Sequence, residues 1–361
     1  MMERLLQFKL FGSRTLKTGI SVFITALICG YFGWPVIFAV ITAIVTIEHT
    51  AADSIRKAAI RFPASAIGAL IATSLYGVFG KGALTYALVA ILTIAVCHKL
   101  NLQDGILVAT ITATAMIPDF QENYIVSFFI RLGTTSIGIV VSSLVNFFLL
   151  PPNYFSSIQR NIDRLYSLSA DLLELILKEV IGEKHKKRAL INKKYRELTQ
   201  SIERTHQLSH YQREEWSYHK HTNIDMRAFQ YTQKRLDLLQ QIIYHLGNLQ
   251  YIQTDSGDFN HREEHLIERM IPSFVAILKA PRHHIPEKHF QHIHELDHVF
   301  WEWKHEHIEQ ESRYRHHLPP QTVLLYELLC LHDVIEELNQ LSNSKHADIY
   351  FRYVNEQEHV K

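Results

Sequence analysis

The 361-residue chain is 47% hydrophobic and 20% charged, with a formal net charge of +1. The length allows two domains of ordinary size, and the averages are ordinary too. Three cysteines, Cys29, Cys97 and Cys330, are too few and too scattered for a disulfide framework or a thiolate metal site. The averages also conceal a break near Pro151-Pro152. The first 150 residues carry net +4 and two histidines, and the remainder carries net −3 and the other 21 histidines. A membrane domain, 1–152, followed by a cytoplasmic helical domain, 153–361, is expected.

In chain order, Lys9, Arg14 and Lys17 mark the entry to a first apolar segment, Leu16 to Phe32. No cleavable signal is expected, because this segment begins a series and is not one isolated run. Gly33, Trp34 and Pro35 form a turn, and Trp34 to Ile47 makes a short second segment of 14 residues. A polar loop from Glu48 to Lys57 precedes a third helix that carries Pro63 in its first turn and runs to Tyr76. Ala83 to Val96 is the fourth segment, and Gly105 to Ile117 a short fifth of 13 residues. Tyr124 to Leu150 is the sixth and ends at the double proline. Only helices satisfy the backbone in lipid without closing a barrel. The expected fold is therefore an all-α membrane protein with six hydrophobic helical segments, followed by a cytoplasmic helical bundle. Lysines and arginines near the span ends place both termini and the C-terminal domain in the cytoplasm.

The second and fifth segments fall short of the roughly 20 residues of a full crossing. They also correspond at an offset of 70, which aligns Thr42 with Thr112, Ala43 with Ala113, Arg61 with Arg131 and Gly68 with Gly138. Two three-helix units in inverted orientation fit this pattern, with the short segments around a solute site. Coincidence between two apolar, threonine-containing helices is the competing explanation.

Several residues in this half are candidates for solute contact or coupling. Arg61 and Arg131 each offer a fixed charge and a bidentate fork for a carboxylate. Arg61 is equally suited to anchor at the cytoplasmic interface, and Arg131 to snorkel toward headgroups. Thr42, Thr46, Thr112 and Thr114 either line a polar path or bond to preceding carbonyls. Glu48 is a proton-coupling candidate, and Asp104 is expected to cap the helix beginning at Gly105.

Beyond Pro152 the pattern changes to amphipathic helices. Ile158, Ile162, Leu165, Leu172 and Ile176 form one seam, with Ser169 in its missing position. Leu236, Leu239, Ile243 and Leu246 form another, and Leu324, Leu328, Leu331, Ile335 and Leu338 a third. Further helices are expected over Ala189 to Tyr218, His265 to Leu278 and Glu287 to Arg315. The seams suggest a homodimer or higher homo-oligomer, or closure within one protomer. Histidine pairs at helical spacing, His261/His265, His289/His292 and His294/His298, lack a regular zinc pattern and read as solvated helix residues. The run Lys184 to Arg188 reads as a solvated turn or a contact to anionic lipid. No phosphate loop, nucleotide fingerprint or nucleophile–base set occurs. No catalytic residues, metal, cofactor or nucleic-acid partner is therefore expected, and the protein reads as a non-enzyme.

The basic entry LFGSRTLKTG (Leu10 to Gly19), the stretch VITAIVTIEHTAADSIRKA (Val40 to Ala58) and the sixth-helix ending FFLLPPN (Phe147 to Asn153) resemble the bacterial aromatic acid exporter family. The branch resembled has a short membrane domain and a cytoplasmic C-terminal domain, and fusaric-acid-resistance-type membrane proteins are similar at greater distance. The resemblance implies a secondary exporter of small organic or aromatic carboxylic acids across the plasma membrane, with lipids and a small organic anion as partners. It brings no established functional residues. A non-transporting scaffold or signalling protein working through its helical bundle is the alternative.

Overall fold

A computed structural model describes residues 12–119, 124–149, 152–181, 187–218, 221–252, 259, 261–308 and 318–359. Every element in the described residues is helical: thirteen α-helices and two short 3-10 turns. Two compact units result, one of residues 1–153 with Tyr211–His219, the other of Tyr154–His210 with Lys220–Lys361.

The N-terminal unit holds α1 (Ser13–Tyr31), α2 (Val36–Thr46), α3 (Ala51–Phe79), α4 (Ala83–Lys99), α5 (Ile106–Met116) and α6 (Tyr124–Phe148). Ala51–Phe79 and Ile125–Phe148 are long and apolar enough to cross a bilayer. The short helices α2 and α5 lie 70 positions apart at both ends. Their packing follows the same offset. Helix α3 packs on α5 and α6 on α2, α1 on α2 and α4 on α5, α1 on α6 and α4 on α3. Each pair is the other's image when the halves are exchanged. The glycines repeat the relation at atomic scale. A Cβ on Gly68 would stand 2.8 Å from the Ala109 carbonyl oxygen, and one on Gly138 would stand 2.5 Å from that of Ala39. Small residues here let backbones approach where no hydrophobic force drives association.

Helix α3 corrects one expectation. The polar loop stops at Thr50, whose Oγ1 accepts from the Asp53 amide at 3.0 Å and caps a helix starting at Ala51. Pro63 therefore sits inside α3 and not in its first turn. A strong cap at Thr50, thirteen residues upstream, outweighed the proline signal. Asp104 is also corrected: it lies in a 3-10 turn, and no side chain caps the start of α5.

The surface of this unit is apolar and its interior is partly polar. Phe23, Leu27, Leu84, Ile91, Phe129 and Leu144 face outward, whereas Lys17, Thr25, Arg61, Thr93, Arg131 and Asn146 are buried.

The C-terminal unit reverses that arrangement. It comprises α7 (Phe155–Ile181), most of α8 (Arg188–Trp216), α9 (Asn223–Tyr251), α10 (His261–Lys279), α11 (Glu287–Ile308), α12 (Pro320–Ser342) and α13 (Lys345–His359). Helix α11 is described to Ile308, so the expected extension toward Arg315 lies outside the described residues, as does Lys184 to Lys186. The three leucine–isoleucine seams are buried between α7, α9, α10, α12 and α13. They close within one chain and so give no argument for self-association. Thr222 and Asp225 form a reciprocal capping box at the start of α9.

Candidate functional site

The two repeat-related arginines occupy different surroundings. Arg61, on α3, donates from Nη2 to Glu48 Oε1 at 2.6 Å, from Nη1 to the Val45 carbonyl at 3.1 Å and from Nε to the Asp104 carbonyl at 3.2 Å. Both carbonyls lie at breaks in regular helix, where backbone acceptors are left over. Glu48 also meets Lys57 Nζ at 3.2 Å, and Lys57 meets Asp53 at 2.8 Å.

This network continues inward through a residue that sequence reading passed over. Asn146, in α6, donates from Nδ2 to Ser54 Oγ at 2.7 Å and to the Thr50 carbonyl at 3.1 Å. Its Oδ1 accepts from Lys17 Nζ at 2.8 Å. Lys17 had been read as an entry marker, but it lies buried in α1. A polar amide near the end of an apolar span was the available signal, since such residues are costly in a membrane. The acidic residues Glu214 and Glu215 complete the cluster: Thr50 Oγ1 donates to Glu214 at 3.1 Å and the Ala51 amide to Glu215 at 2.9 Å. Carboxylates at this position favour the α3 N-terminus and its dipole.

Arg131, on α6, is 3% exposed, and its guanidinium carbon lies 3.8 Å from the centre of the Phe38 ring. It lines a cavity of about 380 Å3 with Gly33, Trp34, Pro35, Phe38, Met116, Ser127 and Ile130. The position matching Glu48 seventy residues on is Pro118. The residue matching Glu48 at that offset is thus not a carboxylate. The cavity joins a cation to two aromatic rings, a combination suited to an anion with an apolar body. Trp34 and Phe38 were not among the residues singled out from sequence.

The threonines stand apart from both arginines. Thr42 donates to the Phe38 carbonyl at 2.9 Å, Thr46 to that of Thr42 at 2.7 Å, Thr112 to that of Val108 at 2.7 Å and Thr114 to that of Thr110 at 2.8 Å. Each hydroxyl hydrogen is engaged one turn back in its own helix. The structure brings Arg61 and Glu48 together and leaves Arg131 at a separate cavity. No cluster of three metal-ligating side chains occurs among the described residues.

Outward apolar faces, two bilayer-length helices and buried charge define the class: a helical membrane protein. The comparisons with known proteins identify its kind. Residues 9–149 match the family described as aromatic acid exporter family member 1. A Bacillus cereus relative called UPF0421 protein is 42% identical over 358 residues, covering 97% of this chain and 99% of its own. An Oceanobacillus iheyensis UPF0421 protein is 38% identical over 338 residues, covering 92% and 96%. A third, from Staphylococcus saprophyticus, is 42% identical over 252 residues, covering 69% and 76%. The chain belongs to the family of these UPF0421 proteins, and its residues 9–149 carry the match to the transporter-type aromatic acid exporter family.

Proposed function

We propose that the protein is a secondary exporter of small aromatic or organic carboxylic acids across the plasma membrane, and that the Arg131 cavity contacts the solute. The observation carrying this reading is a buried guanidinium stacked on Phe38 beside a cavity of about 380 Å3 that also contains Trp34. A guanidinium offers a charged fork to a carboxylate, and the aromatic walls supply contact area for a ring.

In this reading residues 1–152 form the membrane domain and make six crossings or re-entrant passes, with α1–α3 and α4–α6 inverted relative to one another. Both termini and residues 153–361 are cytoplasmic, following the basic residues at the span ends. The Glu48–Arg61 pair then lies on the cytoplasmic side and Arg131 on the outer side. Glu48, held by Arg61 and Lys57, is the coupling candidate.

Efflux of benzoate and related carboxylates from sealed proteoliposomes, with and without a pH gradient, tests the function. Arg131→Ala is expected to assemble normally and lose carboxylate flux by tenfold or more. Arg131→Lys recovers only part, because a point charge lacks the fork. If both variants transport at the wild-type rate and concentration dependence, Arg131 does not contact the solute. A wild-type protein that moves no carboxylate under any gradient favours the scaffold reading.

A further inference from the structure

The C-terminal unit contains a cavity of about 260 Å3 between α7, α9, α13 and the connection after α10. Arg235 of α9 lines it and is 3% exposed. Its Nη1 donates to Tyr350 Oη at 3.2 Å, and its Nη2 donates to Asp163 Oδ1 at 2.9 Å. Asp163 is itself largely solvated, with 61% of its side chain exposed. The remaining donor, Nε, is buried and meets no acceptor among the described residues. A buried donor left without an acceptor is destabilising. The cavity opens beside the guanidinium and is lined also by Tyr350, His283 and Lys279.

The neighbouring polar groups are set to receive a monoanion. His283 Nδ1 lies 3.0 Å from the Ile277 carbonyl. A carbonyl only accepts, so Nδ1 carries the proton and Nε2 presents a lone pair to Arg235 Nη2, 3.4 Å away. Burial, reinforced by Arg235, pushes the His283 pKa down to about 4, so the ring is neutral at pH 7. Tyr350 accepts from Arg235 and keeps its own proton to donate. Burial pushes its pKa up to about 12. Lys279 adds positive charge at the cavity, although Asp171 meets it at 2.6 Å. The apolar lining comes from Leu278, Pro281, Phe351 and Val354, with Arg282 stacked 4.9 Å over Phe351.

We infer that this cavity binds a small aromatic monocarboxylate, with its carboxylate held by Arg235 and the Tyr350 hydroxyl and its ring against Phe351 and Pro281. A dianion is disfavoured because Asp163 already shares the guanidinium. The volume falls below the ~300–1,000 Å3 of sites for drug-sized ligands, which limits the occupant to about one ring. This site lies wholly within the C-terminal unit and stands whether or not the N-terminal unit transports anything.

Photolabelling of the full chain in detergent micelles with 4-azidobenzoate, followed by peptide mass spectrometry, tests the inference. Label is expected on peptides carrying Pro281 to His283 or Tyr350 to Val354, with excess benzoate protecting them at least tenfold. Neutral 4-azidobenzyl alcohol is expected to label them at least tenfold less. Ala280→Trp, which fills the cavity from its partly exposed wall, and Tyr350→Phe, which removes the hydroxyl donor, should each reduce the label at least threefold with unchanged circular dichroism. Arg235→Gln should abolish it, and the other two variants carry the test should that one fail to fold. Absence of label there, equal labelling by the neutral reagent, or full labelling of Ala280→Trp and Tyr350→Phe means that Arg235 only clamps helices. Label on Trp34 to Phe38 or Ser127 to Arg131 reports separately on the N-terminal cavity, so either site can fail without the other.

Discussion

The two units handle buried charge in opposite ways. The N-terminal unit keeps its charges and pairs them: Glu48 with Arg61 and Lys57, Asp53 with Lys57 and Arg56. Apart from Arg235, paired with the exposed Asp163, the C-terminal unit buries imidazoles whose pKa burial lowers, His283, His289 and His332. His289 and His332 sit 3.2 Å apart in its core, joined nitrogen to nitrogen, and Ser273 Oγ lies 2.8 Å from His289 on the other side. Charge in the first unit helps to fix where a short helix ends, because Arg61 binds the Val45 carbonyl that the last turn of α2 leaves over. In the second unit apolar seams perform the packing, and charge is mostly left at the surface. A polar interior under an apolar surface suits a lipid environment, and the reverse suits water.

The largest expected effect comes from breaking the first arrangement at its centre. Arg61→Ala leaves Glu48 buried beside Lys57, 3.2 Å away, and removes donors from the carbonyls of Val45 and Asp104. Losing one partner of a buried pair costs about 3–5 kcal/mol, and Lys57 keeps the value near the lower end. Replacing both Glu48 and Arg61 by methionine should cost less than Arg61→Ala alone. Thermal unfolding in detergent measures both. An Arg61→Ala protein as stable as wild type would show that the pair contributes nothing to the fold.

Acid should act on the second arrangement instead. Burial, with His332 and His292 nearby, pushes the His289 pKa down to about 4. His283 falls to a similar value through burial and Arg235. Burial also lowers His332, opposed by Glu336 and Asp333. In each case the unfolded chain binds the proton more readily than the folded one. Stability is therefore complete above about pH 6.5 and declines as pH falls toward 4. Between pH 7 and 5 the loss is about 2 kcal/mol for each of His283 and His289. Hydrogen exchange of peptides from α10 and α12 should accelerate over this interval, and His289→Gln should flatten the response. Exchange that is independent of pH after correction for intrinsic rates would contradict neutral burial.

Much of this was legible from residue pattern. The short helices, the offset of 70 and the composition break at the double proline are periodic or cumulative signals, and those survive reading one sequence. The Lys17–Asn146 contact joins positions 129 apart, and no local spacing encodes it. Arg235 was likewise hidden among the charged residues of an amphipathic helix, because burial depends on α7 and α13 folding over it. The start of α3 was misplaced because a proline is conspicuous and a threonine cap is not.

Glycine substitutions sharpen the comparison within the N-terminal unit, between its two halves. Gly138→Ala places a methyl against the Ala39 carbonyl and Thr42, and Gly68→Ala places one against the Ala109 carbonyl. Backbone cannot yield as a flexible side chain does, so each should cost about 1–3 kcal/mol. Gly138→Ala should cost more, since its approach is 2.5 Å against 2.8 Å. Unfolding midpoints of the two variants check the order, and a destabilised protein for one glycine alone would mean that the halves do not pack equivalently.

The smallest effect is expected at the threonines, and it bears on what the polar interior is for. Thr42 and Thr112 occupy matching repeat positions, are buried, and donate to carbonyls one turn back in their own helices. Those carbonyls already accept helix hydrogen bonds, so Thr→Val removes a second bond and leaves no orphaned backbone group. The cost should be about 1 kcal/mol or less, and valine fills nearly the same space. If these hydroxyls only satisfy themselves, Thr42→Val and Thr112→Val should retain proteoliposome carboxylate flux within twofold of wild type. Should flux collapse while the unfolding midpoint stays within 2 °C or so of wild type, as about 0.5 kcal/mol would give, the hydroxyls must leave their carbonyls during transport. The interior would then be a path for solute or protons, and not only a frame for Arg131.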